Sequence, residues 1–144
     1  MIKTSKVLKF GVVIAVAIAG NAMAASLKCP AVSDIKQTPG SYGGFAYMAA
    51  AGDGKQWTGE NIMANESDLR ATGFKEAYIL NARNFVACDY VLPNDQGGGM
   101  RMSIKIDSSA KAVGANWQNQ KQPDGSVLPR CVADKPQKCT FQLG

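Results

Sequence analysis

The chain has 144 residues, no histidine, and 16 basic against 11 acidic side chains, a formal net charge of +5. Three of the lysines fall within the first nine residues, which leaves 13 basic and 11 acidic residues, a net charge of +2, for the remainder. Those charges are scattered singly, without a basic stripe or an aromatic platform, so we expect no nucleic-acid partner. The lack of histidine excludes histidine-dependent triads and metal motifs.

The first 24 residues have the three parts of a secretory signal. Lysines at positions 3, 6 and 9 precede an apolar run over residues 10–20, and small residues stand at the two positions before Ala25 that signal peptidase reads. The apolar run is too short to span a bilayer, which takes about 20 residues. We predict a cleaved signal over residues 1–24 and one domain over residues 25–144, periplasmic or secreted, without stable membrane insertion. The alternatives are an uncleaved anchor and a lipoprotein, and Lys28 before Cys29 disfavours the second.

Four cysteines in an exported chain predict two disulfides formed in an oxidising compartment. They are Cys29, Cys88, Cys131 and Cys139. Four cysteines allow three pairings, and we favour Cys131–Cys139, because the residues between them form a natural loop, together with Cys29–Cys88. A zinc site is the alternative, but its usual C-x-x-C spacing is absent. We expect no metal and no cofactor.

The first part of the mature chain carries one clear hairpin pattern. Residues 25–42 contain Pro30, Pro39 and Gly40, which predict irregular backbone. Residues 45–51 and 55–58 flank an Asp-Gly pair, a strong hairpin signal. Residues 66–71 favour a short helical turn that ends at Gly73.

A second hairpin, over residues 85–92 and 100–107, is the strongest pattern in the chain. In its second strand Met100, Met102, Ile104 and Ile106 alternate with Arg101, Ser103, Lys105 and Asp107. This period of two is typical of a half-buried strand. A strand over residues 76–80 and a tight turn over residues 81–84 extend the hairpin to a three-stranded meander.

The last third of the chain has weaker signals. Trp117 is the one apolar anchor of a polar stretch, and Pro123, Asp124 and Gly125 predict a turn. Residues 127–128 and 139–143 are predicted to pair as short edge strands. The fold class is therefore mainly β: a single antiparallel sheet, or a small β-sandwich or barrel, cross-linked by two disulfides. A β-rich α+β domain is the alternative.

Catalytic patterns are scarce. Glu76 and Asp89 are the two acids within predicted strands, and paired acids can hydrolyse glycosides. An ion pair of Asp89 with Lys105 or Arg101 across the sheet is the preferred interpretation. The glycines at 97–99 lead into a strand, whereas a phosphate loop leads into a helix. We expect no enzyme activity.

Two kinds of surface are candidates for binding another protein. Phe85 and Val91 lie opposite the Val86, Cys88 and Tyr90 face of their strand, and would form an apolar patch if no second layer covers them. The other candidates are two loops, one carrying Asn94 and Asp95 and one carrying Lys135 and Lys138.

The cysteines and aromatic residues also follow a familiar order. The landmarks are Cys29-Pro30, Trp57, Phe74-x-x-Ala77, Val86-x-Cys88-x-Tyr90, Trp117, Cys131 and Cys139-x-Phe141. This order resembles a family of small exported cysteine-containing proteins of unknown function from gammaproteobacteria such as Legionella and Coxiella relatives, although Thr140 stands where that pattern has proline. The resemblance implies a secreted or periplasmic β-rich domain with no assigned catalytic residue.

Three functions follow as hypotheses. The first is a non-catalytic protein-binding or structural module, such as an accessory subunit of an envelope or secretion complex. The alternative is a small secreted inhibitor of a hydrolase such as lysozyme, which would present one stiff loop, over residues 94–99 or 131–139. The third is an enzyme that uses Glu76 and Asp89.

Overall fold

The structure is a computed structural model and describes residues 26–52, 54–91 and 99–144. Within these ranges the chain forms eleven β-strands and four short 3-10 helices, and no α-helix. The strands are β1 (Ser26–Lys28), β2 (Lys36–Pro39), β3 (Phe45–Gly52), β4 (Lys55–Asn61), β5 (Gly73–Leu80), β6 (Phe85–Val91), β7 (Met100–Lys105), β8 (Ala110–Val113), β9 (Trp117–Lys121), β10 (Val127–Val132) and β11 (Thr140–Leu143). The 3-10 helices are η1 (Val32–Asp34), η2 (Asp68–Ala71), η3 (Asn81–Arg83) and η4 (Pro136–Lys138). The predicted signal over residues 1–24 lies outside the described residues.

The strands form two antiparallel sheets. The large sheet has the order β2-β3-β4-β7-β6-β5-β10-β9, and the small sheet has the order β1-β11-β8. Neither sheet closes on itself, so among the described strands β2 and β9 are the edges of the large sheet. The prediction of a mainly β antiparallel domain with two disulfides is therefore confirmed, and the fold is not a closed barrel.

The core lies between the large sheet and the small one. In β6 the buried side chains of Val86, Cys88 and Tyr90 stand opposite Ile104, Met102 and Met100 of β7, which are also buried. The small sheet covers this face, and its Phe141 meets Trp57 of β4 edge to face at 6.2 Å between ring centroids. The alternation of apolar and polar side chains along β7, and of buried side chains along β6, thus decides which face of the large sheet is buried.

The Cys29–Cys88 disulfide attaches the N-terminal segment to this core. Its Cα atoms are 5.8 Å apart, and both residues are fully buried. Next to it, the buried Tyr90 hydroxyl donates a hydrogen bond of 2.5 Å to the Pro30 carbonyl oxygen. Burial raises the pKa of Tyr90 above its usual value, which keeps the hydroxyl protonated as a donor. The second disulfide is Cys131–Cys139, so both pairs are those that the spacing favoured.

The meander, both predicted hairpins and the helical turn are present. β5, β6 and β7 are neighbours, and β3 pairs with β4 across a turn whose Asp53 lies outside the described residues. The turn before β6 contains η3 and then Asn84 in the left-handed region, with φ of 59°. The predicted turn at residues 123–125 connects β9 to β10.

Two predictions for the chain ends are wrong, and two strands were not predicted. Residues 26–39 contain β1 and β2 rather than irregular backbone alone, and β8 and β9 lie in the polar stretch before residue 122, for which no strand was predicted. Residues 127–128 and 139–143 do not pair: β10 lies inside the large sheet and β11 inside the small one. These strands have three to six residues each, which is too short for an alternation of apolar and polar residues to identify them reliably.

We predict that Tyr90→Phe lowers the free energy of unfolding by about 1–3 kcal/mol, because the buried Pro30 carbonyl loses its hydrogen bond. Urea unfolding followed by tryptophan fluorescence measures this change. Tyr42→Phe is the matched control, since Tyr42 is 88% exposed. Equal unfolding midpoints for the two variants would contradict the prediction.

The two disulfides are expected to contribute unequally. Their sequence separations are 59 and 8 residues, and the loop-entropy model gives about 4 kcal/mol for the longer loop and about 3 kcal/mol for the shorter. We therefore expect the double variant Cys29→Ala with Cys88→Ala to be less stable than Cys131→Ala with Cys139→Ala in urea unfolding. If the variant without Cys131–Cys139 were the less stable one, the entropy of the unfolded chain would not be the dominant contribution of these disulfides to stability.

Candidate functional site

Exposed apolar side chains are concentrated at one end of the large sheet. We call this the loop end: it comprises the turn 40–44, the segment 62–72, Val91, Gly99 and the segment 132–139. The described part of the chain has seven large apolar side chains with high exposure, and five of them lie here. They are Tyr42 (88%), Ile62 (57%), Met63 (66%), Val91 (45%) and Val132 (58%).

Glycines place the Tyr42 turn against the end of β4. The Gly40 N–H donates to the Gly44 carbonyl oxygen at 3.0 Å, and Gly44 has φ of +59°. A Cβ on Gly44 would lie 2.0 Å from the carbonyl oxygen of Asn61, so a side chain at this position would clash with backbone. Glycine therefore allows the turn that carries Tyr42 to pack directly on residues 61–62.

Asn61 connects two segments of the loop end. Its Nδ2 donates to the Gly99 carbonyl oxygen at 2.6 Å, and its Oδ1 accepts from the Met63 N–H at 2.9 Å. Its own carbonyl oxygen accepts from the Ala64 N–H at 3.2 Å. Because Asn61 is only 7% exposed, these bonds are shielded from water and hold Ile62 and Met63 on a defined backbone.

The segment closed by Cys131–Cys139 is also held by several contacts. Lys138 Nζ lies 2.7 Å from Asp134 Oδ1, and this hydrogen bond holds the pKa of Asp134 below its usual value. Asn116 Nδ2 donates to the Lys138 carbonyl oxygen at 3.0 Å, and the Ala133 N–H donates to the Lys75 carbonyl oxygen at 3.3 Å. Lys135 is exposed on this restrained segment.

The structure brings together some of the predicted binding residues but separates others. Val91, Lys135 and Lys138 all belong to the loop end, whereas Asn94 and Asp95 lie outside the described residues. Phe85 is half-buried at the opposite end of β6, six residues from Val91, a separation of about 20 Å along a strand. Phe85 and Val91 therefore do not form one apolar patch.

Two ion pairs occupy the outer face of the large sheet between them. Arg101 binds Asp89 through Nε and Nη2 at 2.7 and 2.8 Å, which is the predicted cross-strand pair. Arg130 Nε binds Glu76 at 2.8 Å, and Glu76 stands opposite Asp89 in the register of β5 and β6. We call these four residues the ion-pair row.

Tyr78 completes this surface. The guanidinium carbons of Arg101 and Arg130 lie 5.9 and 5.8 Å from its ring centroid, within cation–π range. Burial, and after it the nearby Glu76 carboxylate, raises the pKa of Tyr78, the reverse of what activates a phenol as a nucleophile. Each acid of the row is bound by an arginine of a neighbouring strand, so the row connects adjacent strands of the sheet.

A groove of about 310 Å³ on this face is lined by Asp89, Arg101 and Val91, and it reaches the loop end.

A protein-family comparison places the chain among relatives. The family model described as "Protein of unknown function (DUF3757)" matches residues 22–142. The chain belongs to the DUF3757 family. No curated protein and no solved structure matches it. The resemblance to a family of unknown function is confirmed at this level, and the bacterial group named for it stays a prediction.

Metal sites and membrane helices are absent from residues 26–52, 54–91 and 99–144 of this DUF3757 chain. There, no group of three or more histidine, cysteine, aspartate and glutamate side chains could hold a metal ion. In the same residues, no helix has the length and apolar character needed to cross a membrane.

Sequence reasoning missed the most exposed apolar residues of this DUF3757 chain. Tyr42 is an aromatic residue between glycines, and Ile62 and Met63 are adjacent apolar residues directly after a strand. An aromatic residue within a glycine-rich turn is a local signal that could have found Tyr42. The proximity of Tyr42 to Ile62 depends on the pairing of β3 with β4 and was not visible in either segment alone.

We predict that Asn61→Ala lowers the free energy of unfolding by about 1–3 kcal/mol, because the Gly99 carbonyl and the Met63 N–H lose buried partners. Amide exchange at Met63 should become faster as well, since its N–H loses its hydrogen bond. Urea unfolding and hydrogen exchange measure the two effects. The control is Asn65→Ala at an exposed position, and equal protection of Met63 in both variants would contradict the role given to Asn61.

Proposed function

We propose that this protein is an exported, non-catalytic module that binds another protein through the loop end of its large sheet. The observation that carries the proposal is the concentration of exposed apolar side chains at this end. Exposed apolar patches are typical of protein interaction sites, and here the turn that carries Tyr42 packs against the backbone of Ile62. Tyrosine and methionine are enriched at protein interfaces, and the loop end exposes Tyr42 and Met63.

The support under these side chains favours binding without large rearrangement. Asn61 and Gly44 hold the Tyr42 and Met63 segments, and the Cys131–Cys139 disulfide closes the segment beside Val132. A surface that is already ordered loses less conformational entropy when a partner binds. This agrees with a role as an adaptor or accessory subunit in an envelope or secretion complex.

The formal charges of the loop end balance. Its basic residues are Arg70, Lys135 and Lys138, and its acidic residues are Glu66, Asp68 and Asp134. A partner would therefore be selected by apolar contact more than by net charge, and charges at the rim would mainly affect the association rate.

The proposed location depends on the signal-like start of the chain and on the cysteines. Two disulfides are compatible with an oxidising compartment, which agrees with a periplasmic or secreted protein. The absence of catalysis is part of the proposal: Glu76 and Asp89, the acid pair considered for hydrolysis, are each bound by an arginine.

One observation favours inhibition of a hydrolase such as lysozyme as a second candidate function. The segment between Cys131 and Cys139 is short, closed by a disulfide and presents Lys135. Rigid loops of this kind can enter an enzyme cleft with little loss of entropy. Inhibition assays with secreted hydrolases, comparing the unmodified protein with Lys135→Ala, would test this candidate directly.

We predict that the double variant Tyr42→Ser with Met63→Ser loses its native partner. The protein would be tagged, expressed at natural level, purified without reductant, and its companions quantified by mass spectrometry. We expect recovery of the specific partner to fall by about tenfold or more, since residues at the centre of an interface contribute about 2 kcal/mol each when they are hot spots.

The matched control is Met48→Ser with Val127→Ser, which removes two exposed apolar side chains away from the loop end. Both double variants should keep the melting temperature of the unmodified protein within a few degrees, because the changed side chains are exposed. Equal recovery of the same companions with both double variants would overturn the assignment of the loop end.

A further inference from the structure

The two edges of the large sheet are not equally protected. At one edge, β2 has four residues and ends in Pro39, and proline is common on edges that resist pairing. At the other edge, β9 has the sequence Trp-Gln-Asn-Gln-Lys, without proline and with its single lysine at the last position. Gln118, Asn119 and Lys121 of β9 are exposed.

The hydrogen bonds of the β9–β10 hairpin decide which backbone groups face the free edge. The Gln122 N–H donates to the Ser126 carbonyl oxygen at 2.7 Å, so Gln122 directs its N–H toward β10. Backbone groups alternate along an antiparallel strand, so Gln118 and Gln120 also face β10. The N–H and C=O groups of Trp117, Asn119 and Lys121 therefore point to the free edge, with Asn119 at their centre.

We propose that β9 pairs antiparallel with β9 of a second copy of this chain, with Asn119 opposite Asn119. In this register Trp117 stands opposite Lys121 of the second copy, and the outward-facing backbone groups of all three residues are satisfied. A lysine ammonium beside an indole ring makes a favourable cation–π contact. The strand is thus complementary to itself in both its backbone and its side chains.

The side chains on the outer face also match in this register. Gln118 of the second copy lies opposite Gln120, and an amide side chain can both donate and accept a hydrogen bond, so the two glutamines can pair across the strands. A groove of about 420 Å³, lined by Gln118, Gln120 and Arg130 among others, gives room for the side chain of Gln118 of the second copy.

The charges of the edge do not oppose this pairing. β9 has one charged residue, and the two Lys121 side chains are offset by four positions along the strands, about 13 Å. This distance exceeds the screening length of about 8 Å at physiological ionic strength.

Each copy contributes one five-residue strand, so the contact belongs to the small, transient class. The pair would direct its two loop ends in opposite directions and make the assembly bivalent. The inference does not depend on the proposed function.

Disulfide trapping tests the register. Residues that exchange two hydrogen bonds across an antiparallel pair have Cα atoms about 5.5 Å apart, within the range that a disulfide bridges. Asn119→Cys should therefore cross-link to itself under mild oxidation, at least about tenfold faster than Lys121→Cys, whose copies are far apart in this register. Peptide mapping would verify that the two native disulfides remain. Equal rates for the two variants would overturn the register.

Sedimentation of the chain without added cysteines tests the pairing itself. We expect the weight-average molar mass to rise toward that of a dimer as the protein concentration increases from about 10 μM to about 1 mM. Asn119→Pro should remain monomeric, because it removes an N–H that faces the free edge and leaves the bonds to β10 intact. Asn119→Thr, which keeps the N–H, should still associate. A monomer at the highest concentration, or unchanged association of Asn119→Pro, would refute the proposal.

Discussion

The arrangement of both sheets depends on the burial of one face of β6 and on the disulfide that bonds Cys88 of this face to Cys29. Val86, Cys88 and Tyr90 are buried in the centre of the large sheet, and Cys88 is bonded to Cys29. The segment that contains Cys29 connects β1 of the small sheet with β2 at the edge of the large one. One covalent bond therefore attaches to the core a segment that contributes to both sheets. The hydrogen bond from Tyr90 to Pro30 fixes the same segment a second time.

The outer face of the large sheet is organised by charge instead of apolar packing. Arg101 and Arg130 bind the two acids of β5 and β6, and both contact the Tyr78 ring. The Arg101–Asp89 pair is bidentate, and Arg130 bonds one oxygen of Glu76 through two nitrogens. Partly buried pairs with two hydrogen bonds are more ordered than isolated surface pairs, although their net contribution to stability is modest. The row connects β7, β6, β5 and β10 on the side that the small sheet does not cover. It also leaves neither acid without a cationic partner.

The two surfaces proposed for binding use different physical properties of the same sheet. The loop end exposes apolar side chains on turns that Gly44, Asn61 and the Cys131–Cys139 disulfide hold in place. The edge at β9 exposes main-chain donors and acceptors, with polar side chains around them. The first can select a partner by shape and apolar contact, and the second can add a strand in a defined register. The two surfaces adjoin at Val132, which belongs to the loop end and also lines the groove beside β9.

The sequence by itself determined the features that depend on local pattern. The alternation of residues 100–106 predicted a buried face of β7, the Asp-Gly pair predicted the β3–β4 hairpin, and cysteine spacing favoured the observed disulfides. Only the tertiary structure decided the partners of β1, β8, β9, β10 and β11, since these short strands pair with segments distant in the chain or carry no apolar alternation. The grouping of Tyr42 with Met63 was likewise decided by tertiary structure. The physical reason is the same for the site and the fold: side-chain periodicity is encoded locally, whereas the proximity of distant segments depends on the free energy of the whole packed core.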